Sequence, residues 1–292
     1  MTSKGWIIFA TLCVAILGGM IFLAQKDKMD VSNIDINKLQ AATEQNGNIA
    51  EHVEGKADSK VVLIEYGDFQ CPGCASSQPV MKELVEKYKG QIAFAFRNYP
   101  LYQIHPNAFS SASAAEAAGL QGKYWEMYHK LFENQSAWRD LSGAERTNYY
   151  LSLASDLKLD TAKFTTDIDS EAVKKKIDFD TALGQKAEVT GTPSFYLNGK
   201  NVGDQYVLDG KIVPKGTSGA SLIWSDAAAF ENLIILPALK EADSAGTTST
   251  AIFLLLLGAN STAIGMCFLP WFRLTKCDST FKITFICSRC TF

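Results

Sequence analysis

The sequence predicts an α/β domain running βαβ, helical insert, ββα, preceded by a membrane-spanning helix, and three observations carry that prediction. A β-rich apolar run, Lys60 to Gly67, leads directly into Cys71-Pro72-Gly73-Cys74 and then into helical spacing. A long helical text, from His105 to Lys186, separates a second strand-like run, Gln91 to Arg97, from a third at Thr190 to Gly199. An uncharged run near the start, Gly5 to Gln25, stands apart from all of these.

Composition narrows the classes first. The 292 residues carry 28 Lys+Arg against 31 Asp+Glu, a formal charge of −3, with no dense basic tract, so there is little electrostatic footprint for nucleic acid. Seven cysteines in a chain of this length are too sparse for a disulfide-stapled scaffold. A hydrophobic content of 47% argues against wholesale disorder. The apolar residues are unevenly spread.

Residues 1–25 read as a membrane anchor. Gly5 to Gln25 holds 21 uncharged residues, and at about 1.5 Å per residue it reaches roughly the thickness of a bilayer core. The alternative is a cleaved signal peptide. The apolar run exceeds an ordinary h-region, and Phe22, Leu23 and Ala24 make no small-x-small cleavage pattern. Residues 26–56 are polar, with an Asn46-Gly47-Asn48 turn signal and weak helical periodicity around Ile34 to Ala42, and read as a tether. The domain itself is expected over 57–243. Beyond it, 251–272 is a second uncharged run, interrupted by Asn260, Ser261, Thr262 and Pro270. It is either a second span or an apolar tail; if it spans, the basic residues of 273–292 favour a cytoplasmic C-terminus and a central domain on the other side.

Within the domain, Lys60 to Gly67 is near-continuous in the manner of a buried strand, and Glu65 interrupts it. An unpaired buried carboxylate costs several kcal/mol, so Glu65 is either on an exposed face or there for chemistry. From Ala75 to Lys89, Val80, Leu84, Val85 and Tyr88 recur at helical spacing. Pro72 suits the first turn of that helix, where its missing N–H is not needed; Pro79 falls inside it and should kink it. Gln91 to Arg97 is the second strand. The insert, about residues 105–186, reads as helices over Asn107 to Ala118, Tyr124 to Phe132, Ala144 to Leu157 and Glu171 to Lys186, the third opened by a Ser142-x-x-Glu145 capping box. Trp125, Met127, Tyr128, Leu131 and Phe132 read as its core, and His105 and His129 as capping or surface residues. Leu197-Asn198-Gly199-Lys200 signals a hairpin to a partner strand near Asn201-Val202 or Lys211 to Val213. A last helix, Ser225 to Ala242, carries Pro237 and should kink there.

The order strand, CxxC, helix has a chemical consequence. At a helix N-terminus the first cysteine faces unpaired N–H groups and the positive end of the dipole, which stabilise a thiolate. Cys71 is the expected attacking sulfur, and Cys74, one turn further in, the resolving one. The other readings are half a zinc site or two core thiols; zinc would want a second ligand pair, and none lies nearby.

Glu65, Cys71-Pro-Gly-Cys74, Asn98-Tyr-Pro-Leu101 with His105-Pro-x-Ala108, Gln121-Gly-Lys-Tyr-Trp125 and Gly191-Thr-Pro-Ser-Phe195 together resemble the DsbA-type branch of the thioredoxin superfamily. The likeness covers about Ala57 to Ala242. It implies a thioredoxin-like fold with a helical insertion, a cis Pro193 beside the cysteine pair, and a Thr192 backbone that pairs with an extended substrate peptide. It further implies that Glu65 is the buried acid that takes the proton from Cys74 during resolution. Pro72-Gly73 is a permitted variant of the active-site motif. The tail cysteines Cys267, Cys277, Cys287 and Cys290 match nothing in the family.

The expectation is therefore a membrane-tethered thiol-disulfide oxidoreductase, its catalytic domain outside the cytoplasm. It would form disulfides in exported proteins and use the Cys71–Cys74 pair with no bound cofactor or metal. The resemblance suggests recycling by a membrane quinone-linked partner. A reductase or isomerase of the same fold, and a non-redox peptide-holding chaperone, are the rival readings, since direction depends on potential and not on motif.

Overall fold

Two strands whose residues are buried almost without exception form the centre of the fold. The structure, a computed structural model, describes residues 3–26 and 29–244, without the side chains of 3–5, 7, 8, 10 and 21–26. In chain order the elements are α1 (Ser3–Lys26), β1 (Val53–Gly55), β2 (Val62–Gly67), α2 (Pro72–Tyr88), β3 (Ala93–Asn98) and α3 (Ala108–Gly119). There follow α4 (Tyr124–Glu133), α5 (Gln135–Trp138), α6 (Gly143–Asp156), α7 (Thr161–Ile168) and α8 (Glu171–Lys186). The chain closes with β4 (Ser194–Leu197), β5 (Lys200–Asn201), β6 (Tyr206–Leu208), β7 (Lys211–Val213), β8 (Ser221–Leu222) and α9 (Ala227–Phe230).

The main sheet has the order β1-β3-β2-β4-β5. Only β2 and β3 are parallel, joined through α2 as a βαβ unit; β1, β4 and β5 pair antiparallel. Side-chain alternation splits the core. Leu63, Phe94 and Phe195 pack with Met81 and Leu84 of α2 and with Phe230 and Ile235 on one face. Ile64, Tyr66 and Ala95 pack with Phe179 and Leu183 of α8 on the other. The insert has its own core, in which Phe69 and Phe96 meet Tyr128 and Phe132 at ring-centroid distances of 4.9 to 5.9 Å. The aromatic run of α4 is thus core, as its helical spacing indicates.

Several boundaries differ from expectation, each for a physical reason. The segment expected to be a tether over 26–56 is, from residue 29, part of the domain: β1 joins the sheet, and buried Arg97 grips the segment through a two-point ion pair with Glu51 (2.7 and 2.9 Å) and bonds to the carbonyls of Ile36 and Lys38. Lys186 Nζ donates to the carbonyls of Val31, Ser32 and Ile34. Polar composition concealed this because the apolar side chains that pack on the core, Val31, Ile34, Ile36, Leu39 and Ile49, are scattered, and Arg97 and Lys186 bind backbone carbonyls. At α6, Ser142 occupies the N-cap but its side chain makes no capping bond, so the expected box is not formed. A reciprocal box forms instead between Thr43 and Asn46. Helices α5 and α7 were absent from the expected set, being four and eight residues long. The hairpin turn at Asn198-Gly199 is present with both residues at positive φ, but Lys211–Val213 pairs in a separate three-stranded sheet, β7-β6-β8. In the last helical run, residues 231–235 widen into a π-turn before helix resumes over 236–244. Pro237 cannot donate to the carbonyl of Leu233, which accounts for the departure from α geometry there.

Helix α1 covers the uncharged run, and its described apolar side chains, such as Leu12, Ile16 and Leu17, are exposed. Among the described residues no helix is long and apolar enough to cross a membrane; the expected span 1–25 includes side chains outside that set. Run 251–272, tail 273–292 and cysteines Cys267, Cys277, Cys287 and Cys290 also lie outside the described residues.

Candidate functional site

Cys71 is the N-cap of α2 and Pro72 its first helical residue. Strand β2 ends at Gly67, and the connecting residues 68–71 are pinned from every side. Asp68 Oδ1 accepts from Gln70 N (2.7 Å), while its Oδ2 accepts from Leu101 N (3.0 Å) and pairs with His105 Nδ1 (2.7 Å). Gln135 Nε2 donates to the carbonyls of Phe69 (2.8 Å) and Cys71 (3.0 Å). His105 is therefore a support of the cysteine loop, a closer role than the capping or surface one its sequence context indicates. Asp68 and Gln135 carry no motif that would have singled them out. His129, by contrast, meets Gln78 (2.9 Å) at the flank of α2.

The two cysteines stand as thiols in different surroundings. Cys71 is 7% exposed and Cys74 1%. The Cys74 thiol and the backbone N–H groups of Cys74 and Gly73 all favour a thiolate at Cys71 and, against the effect of burial, hold its pKa at about 6. Burial, the neighbouring Cys71 and Glu65 push Cys74 well above the ordinary thiol value, only partly offset by the Asp68 N–H that reaches its Sγ (3.5 Å). One sulfur is thus prepared to attack and to leave; the other is held protonated.

Glu65 is completely buried, which settles the alternative of an exposed face. In register it lies opposite Phe96 and Phe195, and Ser77 Oγ of α2 approaches its Oε1 at 3.5 Å while its Oε2 has no partner among the described residues. Burial foremost, then the Cys71 thiolate, raises its pKa to about 8.

The Thr192–Pro193 peptide is cis, as the resemblance implies. Cys71 Sγ donates to the Thr192 carbonyl at 3.3 Å. Gly73 makes this approach feasible: a Cβ there would sit 3.0 Å from Pro193 Cδ and 3.6 Å from the Thr192 oxygen. The structure therefore brings Cys71, Pro72, Gly73, Cys74, Thr192 and Pro193 together, with Glu65 beneath. A cavity of about 200 Å³ adjoins the cis loop, lined by Thr192, Pro193, Leu222 and Trp224. Among the described residues no group of three or more His, Cys, Asp or Glu side chains could hold a metal ion.

Comparison with known proteins agrees with this geometry. The family model described as thioredoxin matches residues 47–210. A probable disulfide bond formation protein D of Bacillus cereus is 30% identical over 200 residues, covering 66% of this chain and 86% of that protein. A Na(+)/H(+) antiporter NhaA 1 of Mycolicibacterium vanbaalenii is 34% identical over 151 residues, 51% of this chain and 23% of the antiporter; the chain spans about a quarter of the length of these antiporter relatives. The solved structure of Wolbachia pipientis α-DsbA1 superposes with a TM-score of 0.52 at 19% identity, covering 66% of this chain and 93% of that one, which shows the fold. With the family model spanning more than half of its length and the Bacillus relative matched over most of its own, the chain belongs to the thioredoxin family, in its DsbA-type branch.

Proposed function

We propose that this chain forms disulfides in exported proteins, oxidising them through the Cys71–Cys74 pair while tethered to the membrane by residues 1–25. The observation that carries the reading is the opposed acidity of the two thiols at the N-terminus of α2. A low-pKa Cys71 stabilises the dithiol form, and a pair whose reduced form is stabilised is the stronger oxidant.

In the oxidising direction a substrate thiolate attacks Cys71 Sγ of the enzyme disulfide. The S–S bond to Cys74 breaks, and Cys74 departs as a thiolate that takes up a proton. Glu65, protonated at neutral pH by its burial, is the donor; in the reverse step it takes the proton back. A second substrate thiolate then attacks the substrate sulfur of the mixed disulfide and releases Cys71 as a stable thiolate. Two electrons pass from substrate to enzyme. Thr192 and Pro193 offer the edge on which an extended substrate segment docks. Regenerating the disulfide needs an oxidant, for which a membrane quinone-linked partner is proposed. The uncharged run 5–25 supports the tether, and an extracytoplasmic domain follows from the need for a compartment in which disulfides persist.

The test uses the full chain in membranes. Wild type oxidises a reduced protein substrate supplied from outside and, once its pair has been reduced, is labelled at Cys71 by a membrane-impermeant maleimide, whereas Cys71→Ser loses the oxidation by at least about a hundredfold. Oxidation that survives Cys71→Ser, or label that reaches Cys71 only after permeabilisation, would refute the reading.

A further inference from the structure

Against the cysteine loop lies a second cleft, of about 470 Å³, and its walls are built. Gln70 and Pro72, the two neighbours of Cys71, form one edge. Gln70 Nε2 donates to the Arg139 carbonyl (2.7 Å), and its Oε1 accepts from Asn107 N (2.6 Å). Asn107 Nδ2 donates to the carbonyls of Arg139 (2.9 Å) and Leu141 (2.8 Å). The residue that precedes the nucleophile is thereby fixed to the loop that carries Arg139, Asp140 and Leu141.

The cleft is cationic. Arg146 lines it with one hydrogen bond, Nη1 to Asn107 Oδ1 (2.9 Å), and no carboxylate within ion-pair distance among the described residues. Arg139 also lines it, and among the described residues its guanidinium meets one carboxylate, Asp140, in a long 3.3 Å contact to a side chain that is 82% exposed. Of the other carboxylates nearby, Asp68 is buried and already engaged by His105, and Glu145, in the first turn of α6, forms no ion pair with either arginine. Helix α6 starts at the cleft, and its N-cap Ser142 leaves the first-turn N–H groups without a side-chain acceptor, adding positive potential to the same space.

We propose that this cleft selects substrates: it receives an Asp or Glu side chain carried within a few residues of the substrate cysteine that reacts at Cys71. The inference rests on the exchange chemistry above and adds its preference. A substrate whose sulfur is at Cys71 has its neighbouring residues within about 3.3 Å per residue of that sulfur, which places them at the Gln70–Pro72 edge. A fork-shaped guanidinium with most of its donors unused matches a carboxylate. Arg146 is a specificity-determining residue in this account, and Asp140 the internal competitor for Arg139.

The test uses the full chain in detergent, its pair first oxidised with excess oxidised glutathione, and two dithiol peptides that differ only in carrying Asp or Lys beside the first cysteine. The reaction read is conversion of the peptide dithiol to its disulfide as the enzyme disulfide becomes a dithiol. Flanking charge also alters the peptide thiols themselves, so each rate is divided by that of the same peptide with the neutral hydroxyethyl disulfide. The Asp peptide should react about tenfold faster at low salt, the advantage shrinking towards unity as salt rises. Arg146→Gln should erase most of it, Arg146→Lys should keep part, and Asp140→Asn, which disturbs no buried contact, should enlarge it. Equal normalised rates for the two peptides, or an Asp advantage unchanged in both Arg146→Gln and Asp140→Asn, would overturn the inference and leave the oxidoreductase reading standing. No exchange with either peptide would overturn both.

Discussion

Three positions separate Cys71 from Cys74, and one helix terminus with one step of burial sets their acidities on opposite sides of the ordinary thiol value. This asymmetry has a pH signature in stability. The Cys71 pKa of about 6 lies below the roughly 8.5 of an unfolded thiol. Between those limits the unfolded dithiol chain holds the extra proton, so the stability of the reduced form rises with pH, is complete above the unfolded value and is lost as pH falls through about 6. The disulfide form has no thiol to titrate. Denaturation of the two forms in parallel should show the reduced form gaining about 2 kcal/mol on the oxidised one between pH 6 and 8.5, allowing for partial solvent screening; parallel curves would contradict the thiolate. Glu65 works with the opposite sign. Its raised pKa of about 8 means that the unfolded chain has lost a proton which the fold still holds from about pH 4.5 to 8, so stability falls across that window. Glu65→Gln removes that cost, and should stabilise the protein at pH 7 by about 2–3 kcal/mol, give no gain at pH 4 and slow the step in which Cys74 departs. A gain equal at both pH values would show that desolvation of the charge is not what Glu65 bears.

At the scale of elements, the strand-CxxC-helix unit was plain in the sequence because each of its parts has a local signal: an apolar run, a proline at the first turn, helical spacing after it. The cis loop was legible only through resemblance, since nothing in Thr192-Pro193 alone dictates a cis bond. Residues 29–56 were misread because their attachment is made by long-range partners, among them Lys186 and Arg97; the place of Arg97 at the end of an Ala-Phe-Ala-Phe run was the available clue. Burial opposes the charge on Glu51, and the Arg97 guanidinium overcomes it, holding the carboxyl below its ordinary range. Removing one partner of such a pair strands the other. Glu51→Ala should cost about 3–5 kcal/mol in urea denaturation, the Glu51→Leu, Arg97→Met double substitution much less. A loss below about 1 kcal/mol for Glu51→Ala would mean that the segment is not integral to the domain.

For the whole molecule, the fold class, the helical insert and the cysteine pair were all readable from the chain, whereas the supports of the site were not. Asp68, Gln135 and Asn107 act through bonds to backbone groups 32 to 66 positions away, and no periodicity encodes contacts of that kind. What these supports achieve together is a held loop that presents one activated sulfur beside the cis Thr192–Pro193 peptide and a cationic cleft. The central claim is that this arrangement makes the pair an oxidant, and equilibration of the protein in glutathione buffers of graded ratio tests it most directly. The account predicts a reduction potential towards about −120 mV, the range of a pair whose dithiol is stabilised. A value near about −270 mV would mark a reductant and contradict it.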